Sequence, residues 1–64
     1  MEEDNFIELC NLLKIKWLIP TGGRAKLIIR SGAVKVNGIV ETRNKKKIRP
    51  GDAVEYDGKT LIFS

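Results

Sequence analysis

The sequence predicts an α+β fold: two short helices packed on a small antiparallel sheet of about four to five short strands. Three observations lead there. Apolar residues recur at helical spacing over residues 9–30, Asn37-Gly38 and Asp57-Gly58 are hairpin turns between β-branched or aromatic runs, and Pro50-Gly51-Asp52 marks a third turn. At 64 residues the chain is one domain, 1–64, with Met1–Asn5 expected to fray. A core of that size supports roughly 3–5 kcal/mol of net stability, which leaves no room for a deep substrate cavity as well.

The elements follow in chain order. Phe6–Leu9 fits two patterns: Phe6, Leu9 and Leu13 are spaced as in a helix, while Ile7 and Leu9 alternate as in a strand. Leu9–Trp17 reads as an amphipathic helix, with Lys14 and Lys16 near the end where the macrodipole favours cations. Pro20 ends it by pushing Ile19 toward an extended conformation. A second helix starts at the N-cap Thr21, whose oxygen can accept from the amide of Gly23 or Arg24. Gly22 and Gly23 are poor helix formers for a first turn. Their use there admits two readings, a tight turn between helices or a backbone anion site with accessible amides. Ala25, Ile28 and Ile29 form the core face, with Lys26 and Arg30 on the other side. Leu27 breaks that pattern by falling among the cations. The helix stops at Ser31, with Gly32 as the left-handed residue that follows. Val34–Val36 and Ile39–Val40 are hairpin strands, Thr42–Arg49 a basic loop, and Ala53–Tyr56 and Thr60–Phe63 the last two strands.

Charge is strongly segregated. The whole chain carries 12 Lys and Arg against 8 Asp and Glu, for a net +4. Between Lys14 and Arg49 there are eleven cations and one acid, Glu41, so 11 − 1 = +10. The rest carries Lys59 against seven acids, so 1 − 7 = −6. A merely solvated surface would mix its signs. This distribution points instead to a polyanion-binding face.

Chemistry for catalysis is missing. With no histidine and one cysteine, Cys10, there is no zinc-ligand set, no internal disulfide, and no base for Ser31 or Ser64. Gly22-Gly23-Arg24-Ala25-Lys26 lacks the spacing of a nucleotide phosphate loop. An enzyme is not expected, nor a cofactor, a metal or a small-molecule substrate. The acidic start MEEDN has no secretory pattern, and the longest apolar runs are triplets. The expectation is a cytoplasmic protein with no membrane partner, monomeric for choice. Trp17, Tyr56, Phe6 and Phe63 show no paired stacking pattern and are read as packing residues.

The run Ala25-Lys26-x-Ile28-Ile29-Arg30-x-Gly32-x-Val34-Lys35-Val36-Asn37-Gly38 resembles the RNA-binding domain named after bacterial small-subunit ribosomal protein S-four, the alpha-L motif. Ile7-x-Leu9 extends the likeness upstream, and Glu41-Thr42-Arg43 with Lys46-Lys47-Ile48-Arg49-Pro50-Gly51-Asp52 extends it downstream. The short length and the Thr21-Gly22-Gly23 opening look most like the small stand-alone bacterial branch. The resemblance implies a non-catalytic module that binds structured RNA, ribosomal RNA above all. By motif position Arg24, Lys26, Arg30 and Lys35 lie on or near one basic face, and Arg43, Lys45, Lys46 and Lys47 add phosphate contacts. Three departures stand out. Cys10 replaces the Asp that often starts the first helix, Lys45 a common Gly, and Leu27 a usual polar residue. The alternative is a small protein–protein adaptor acting on ribosomal or nucleic-acid-associated complexes.

Overall fold

The structure, a computed structural model, describes residues 5–63, so most of the segment expected to fray lies outside the described residues. Among the described residues two helices, α1 (Leu9–Lys16) and α2 (Gly22–Arg30), lie among six short strands. These are β1 (Ile7–Glu8), β2 (Val34–Val36), β3 (Ile39–Val40), β4 (Lys47–Ile48), β5 (Ala53–Tyr56) and β6 (Lys59–Ile62). The α+β class holds, but the strands divide into two antiparallel ladders. One has the order β3-β2-β5-β6, and the other is the pair β1-β4.

Local chemistry sets most boundaries. Thr21 caps α2 through its side-chain oxygen, which accepts from the Arg24 amide at 3.1 Å. Gly32 takes the left-handed conformation after the helix, and its amide donates to the Ile29 carbonyl. Asn37 and Gly38 both have positive φ, as do Asp57 and Gly58, which is the type I′ geometry that matches strand twist. Pro50-Gly51 forms a type II turn: Gly51 has φ +96° and the Asp52 amide donates to the Arg49 carbonyl. The last strand runs one residue earlier than expected, although a bond from the Phe63 amide to Asp52 continues its ladder.

The core is small and drawn from every layer. Leu9, Leu12 and Leu13 of α1 meet Ala25 and Ile29 of α2 above Val34, Val36, Ile48 and Val54. Each of the fully buried Leu, Ile and Val side chains is worth about 1.5–3 kcal/mol of transfer free energy. Cys10 is half-buried against this cluster, in keeping with a packing thiol. Trp17 and Tyr56 pack edge to face, with ring centroids 6.0 Å apart.

One expectation needs correction, and one open reading is settled. The stretch 42–49 is not simply a loop, because Lys47–Ile48 forms β4 and Ile48 is fully buried. Its partner is Ile7–Glu8, which resolves the ambiguity at Phe6–Leu9: strand through Glu8, helix from Leu9. The pairing is two residues long and joins distant parts of the chain, so it leaves little periodicity to read.

The end of α1 carries strain. Leu18 sits at φ +57°, where an L side chain crowds the following carbonyl, and it is 81% exposed. Where a helix ends on a left-handed residue, glycine usually takes the position at no steric cost.

Candidate nucleic-acid interface

The cation-rich run 42–49 is anchored from several sides. Helix α1 has no side-chain cap at Glu8. Instead, the Leu9 amide donates to the Lys46 carbonyl at 2.9 Å and the Cys10 amide to the Asn44 carbonyl at 3.0 Å. Carbonyls from a distant segment thus satisfy the donors that a capping Asp would have met. The positive end of the α1 dipole lies directly behind the basic run. Next to it, the β1-β4 pairing sets Lys47 opposite Glu8, and the Lys47 ammonium lies 5.0 Å from the centre of the Phe6 ring. Lys45 does not have positive φ, so the backbone there makes no demand for glycine.

Two carboxylates fix the ends of the run. One Glu41 oxygen accepts from both the backbone amide and the Nε of Arg43, each at 3.1 Å. That bond holds the Glu41 carboxyl below its usual range, and it engages only the Nε of an exposed guanidinium, not its terminal nitrogens. At the other end, Asp52 accepts from the Arg49 amide at 2.8 Å and from the Asn37 side chain at 3.2 Å. Asn37 also accepts from the Ala53 amide. The Arg49 amide, then the Asn37 amide, lowers the Asp52 pKa from its ordinary 3.8. A lowered folded pKa gives stability that is present above the unfolded value and lost as pH falls through the folded one. Thermal melts should therefore decline below about pH 4 in the native protein. The decline should be shallower in Asp52→Asn, which keeps an acceptor but does not titrate in that range. Equal acid limbs in the two proteins would contradict the assignment.

Anchored this way, the run faces α2 across a groove of about 810 Å³. Lys26 and Arg30 line it from α2, with Thr42, Arg43, Asn44, Lys45, Lys46, Lys47 and Arg49 opposite. Seven of those nine are cations, and no carboxylate is among them. Six of the eight cations expected from the sequence meet here. Arg49, Thr42 and Asn44 belong to the groove as well and were not singled out, although Arg49 continues the same basic run.

Arg24 and Lys35 fall elsewhere. Arg24 precedes Lys26 by two residues, which is about 200° around a helix, so the two flank opposite sides of α2. Lys35 lies between the buried Val34 and Val36 and points to the other face of the four-stranded sheet, in register with Glu55 and Val40. The hairpin therefore does not bring it up behind Lys26 and Arg30. Gly22 and Gly23 form the first turn of α2 and do not line the groove. A Cβ at either would meet open space, and neither has positive φ, so packing and backbone strain leave both glycines unexplained. Leu27 is 66% exposed on the crest of α2, between Arg30 and Arg24 in angle.

Among the described residues no cluster of three or more His, Cys, Asp or Glu is placed to hold a metal ion. Among those residues, too, no helix is long and apolar enough to cross a membrane.

Comparison with known proteins agrees with this architecture. The chain is 44% identical over 55 residues to the Escherichia coli K12 protein named "Putative RNA-binding protein YbcJ", covering 86% of this chain and 79% of that one. It is equally similar, over the same lengths, to the Shigella flexneri protein named "Uncharacterized protein YbcJ". The family model described as S4 domain matches residues 2–63, nearly the whole sequence. Fold, motif and match together place this chain in the S4 domain family.

Proposed function

We propose that this protein is a non-catalytic, cytoplasmic module that binds structured RNA, ribosomal RNA above all, in the groove between α2 and residues 42–49. The observation that carries the reading is the convergence of seven cations from two distant segments on one concavity that, among the described residues, no carboxylate lines. The E. coli relative, whose name describes RNA binding, supports it.

An A-form helix hides its base edges in a deep major groove, so a small module reads shape, phosphates and 2′-hydroxyls. The groove supplies what such reading needs. Arg30, Arg43 and Arg49 present planar forks suited to phosphate oxygens, and the lysines add point charges. Glu41 holds Arg43 before RNA arrives, which lowers the entropic cost of ordering that side chain. Phosphate contacts of this kind fix position and register without reading sequence.

Neutralising ~4–6 phosphates makes affinity for folded ribosomal RNA fragments fall by about two to three decades between 50 and 200 mM salt. A filter-binding titration measures the slope. A flat slope would remove the polyanion reading. Gly22 and Gly23 belong to this proposal only as a secondary anion site, supported by their open surroundings. Leu27 favours a second reading, an adaptor for nucleic-acid-associated complexes, because an exposed leucine beside the groove offers apolar contact. On that reading a protein partner survives nuclease treatment and high salt. Loss of every partner on nuclease treatment excludes it.

A further inference from the structure

A second groove, of about 300 Å³, opens at the other end of α1. Lys16, Trp17, Leu18, Lys59, Thr60 and Leu61 line it. Its volume is at the lower end of what small-molecule sites occupy. The basic groove is tied to the first residues of α1 and this one to the last, so the eight-residue helix separates them by about 12 Å.

Three observations say this groove meets another molecule. Leu18 holds a left-handed conformation that glycine would take without strain, and at 81% exposure its side chain gains almost no burial inside the protein. Strain kept at a residue whose side chain the fold does not use is a mark of function. Next to it, the Trp17 ring is fixed edge-on against Tyr56, so its plane is set before any ligand arrives. Among the described residues, the charged side chains that line the groove are both lysines.

We propose that this groove takes one unpaired nucleotide of the RNA held by the basic groove, a proposal that rests on the RNA-binding reading above. The base stacks against the indole of Trp17 with Leu18 as its apolar wall, and the phosphates on either side meet Lys16 and Lys59. Apolar and aromatic walls suit a base whatever its identity, because every base has a π-face. Paired cations suit a chain that carries a charge at each step. The preferred ligand is then a duplex that continues into a single strand, with the helical part on α2 and residues 42–49 and the unpaired part beyond α1.

Trp17 is the only tryptophan, so its emission reports on this groove alone. The full chain is titrated with a blunt RNA duplex of about twelve base pairs, and with the same duplex carrying a short uridine overhang. The overhang should quench Trp17 and raise affinity by about tenfold over the blunt duplex. Leu18→Gly and Lys59→Ala should each abolish the quenching and most of that advantage, while blunt-duplex affinity stays within about twofold. Leu18→Gly relieves strain, so its melting temperature should not fall, and loss of binding in it is not loss of fold. Equal affinity and emission for the two duplexes would overturn this proposal and leave the basic groove standing, as would an advantage that survives both substitutions. Binding of neither duplex would overturn both readings. An acidic hexapeptide with two central leucines that perturbs Trp17 more strongly than the overhang would assign the groove to a protein segment instead.

Discussion

Replacing Lys26 and Arg30 together with glutamate lowers affinity for folded ribosomal RNA fragments by at least about 100-fold and leaves the circular dichroism spectrum unchanged. The magnitude comes from two charge-assisted hydrogen bonds at about 1.5–3 kcal/mol each, where 1.4 kcal/mol is tenfold. Repulsion between the new carboxylates and phosphate adds to it. Both side chains are exposed on α2 and face the groove, so the core is untouched. The salt dependence should also flatten, by about one power of salt concentration for each contact removed. Arg24→Glu with Lys35→Glu is the matched control. It makes the same change in net charge at positions outside the groove, and binding should weaken far less. Equal losses in the two double variants would mean that overall charge, not the groove, governs binding.

Ile48→Ala should be the most damaging single substitution in the basic run, although it removes no charge. Ile48 is fully buried, and truncating a buried isoleucine to alanine costs about 2–5 kcal/mol. A domain of this size has roughly 3–5 kcal/mol to lose. Chemical denaturation should therefore find the variant largely unfolded at 37 °C, and RNA binding should vanish with the fold. Ile48→Val, at about 0.5–1.5 kcal/mol, should keep both. A stable Ile48→Ala protein would mean that β1-β4 is not part of the cooperative core.

The contrast between these two positions shows how much the sequence exposes. Wherever conformation follows from adjacent residues, the reading is direct. Thr21 caps α2, Asn37-Gly38 and Asp57-Gly58 form mirror-image turns, and Gly32 and Gly51 take positive φ, all because backbone chemistry acts over two to four residues. The 100° step of a helix likewise puts Lys26 and Arg24 on different sides of α2, whereas the motif resemblance groups both on one face, and only Lys26 lines the groove. Ile48 shows the opposite. Flanked by Lys47 and Arg49, it reads as one apolar residue in a wet loop, and only the pairing with Ile7 gives it a reason to be buried. Leu18 left no signal either, since leucine at that position contradicts the usual preference for glycine. The groove itself lies between these cases. Its cations are plain in the sequence, but their convergence depends on contacts between residues more than ten apart.

The external capping of α1 also bears on how the chain folds. In most helices the first turn is completed by neighbours in sequence, so it can form early and alone. Here the acceptors for Leu9 and Cys10 lie more than thirty residues downstream. The opening turn of the helix and the back wall of the groove are therefore one event, and the loop between them must be closed first. Folding of this two-helix domain is then governed by a long-range closure and should be slower than its helical share implies. Fraying of the first turn of α1 in the folded protein is, by the same bonds, a loosening of the surface offered to RNA.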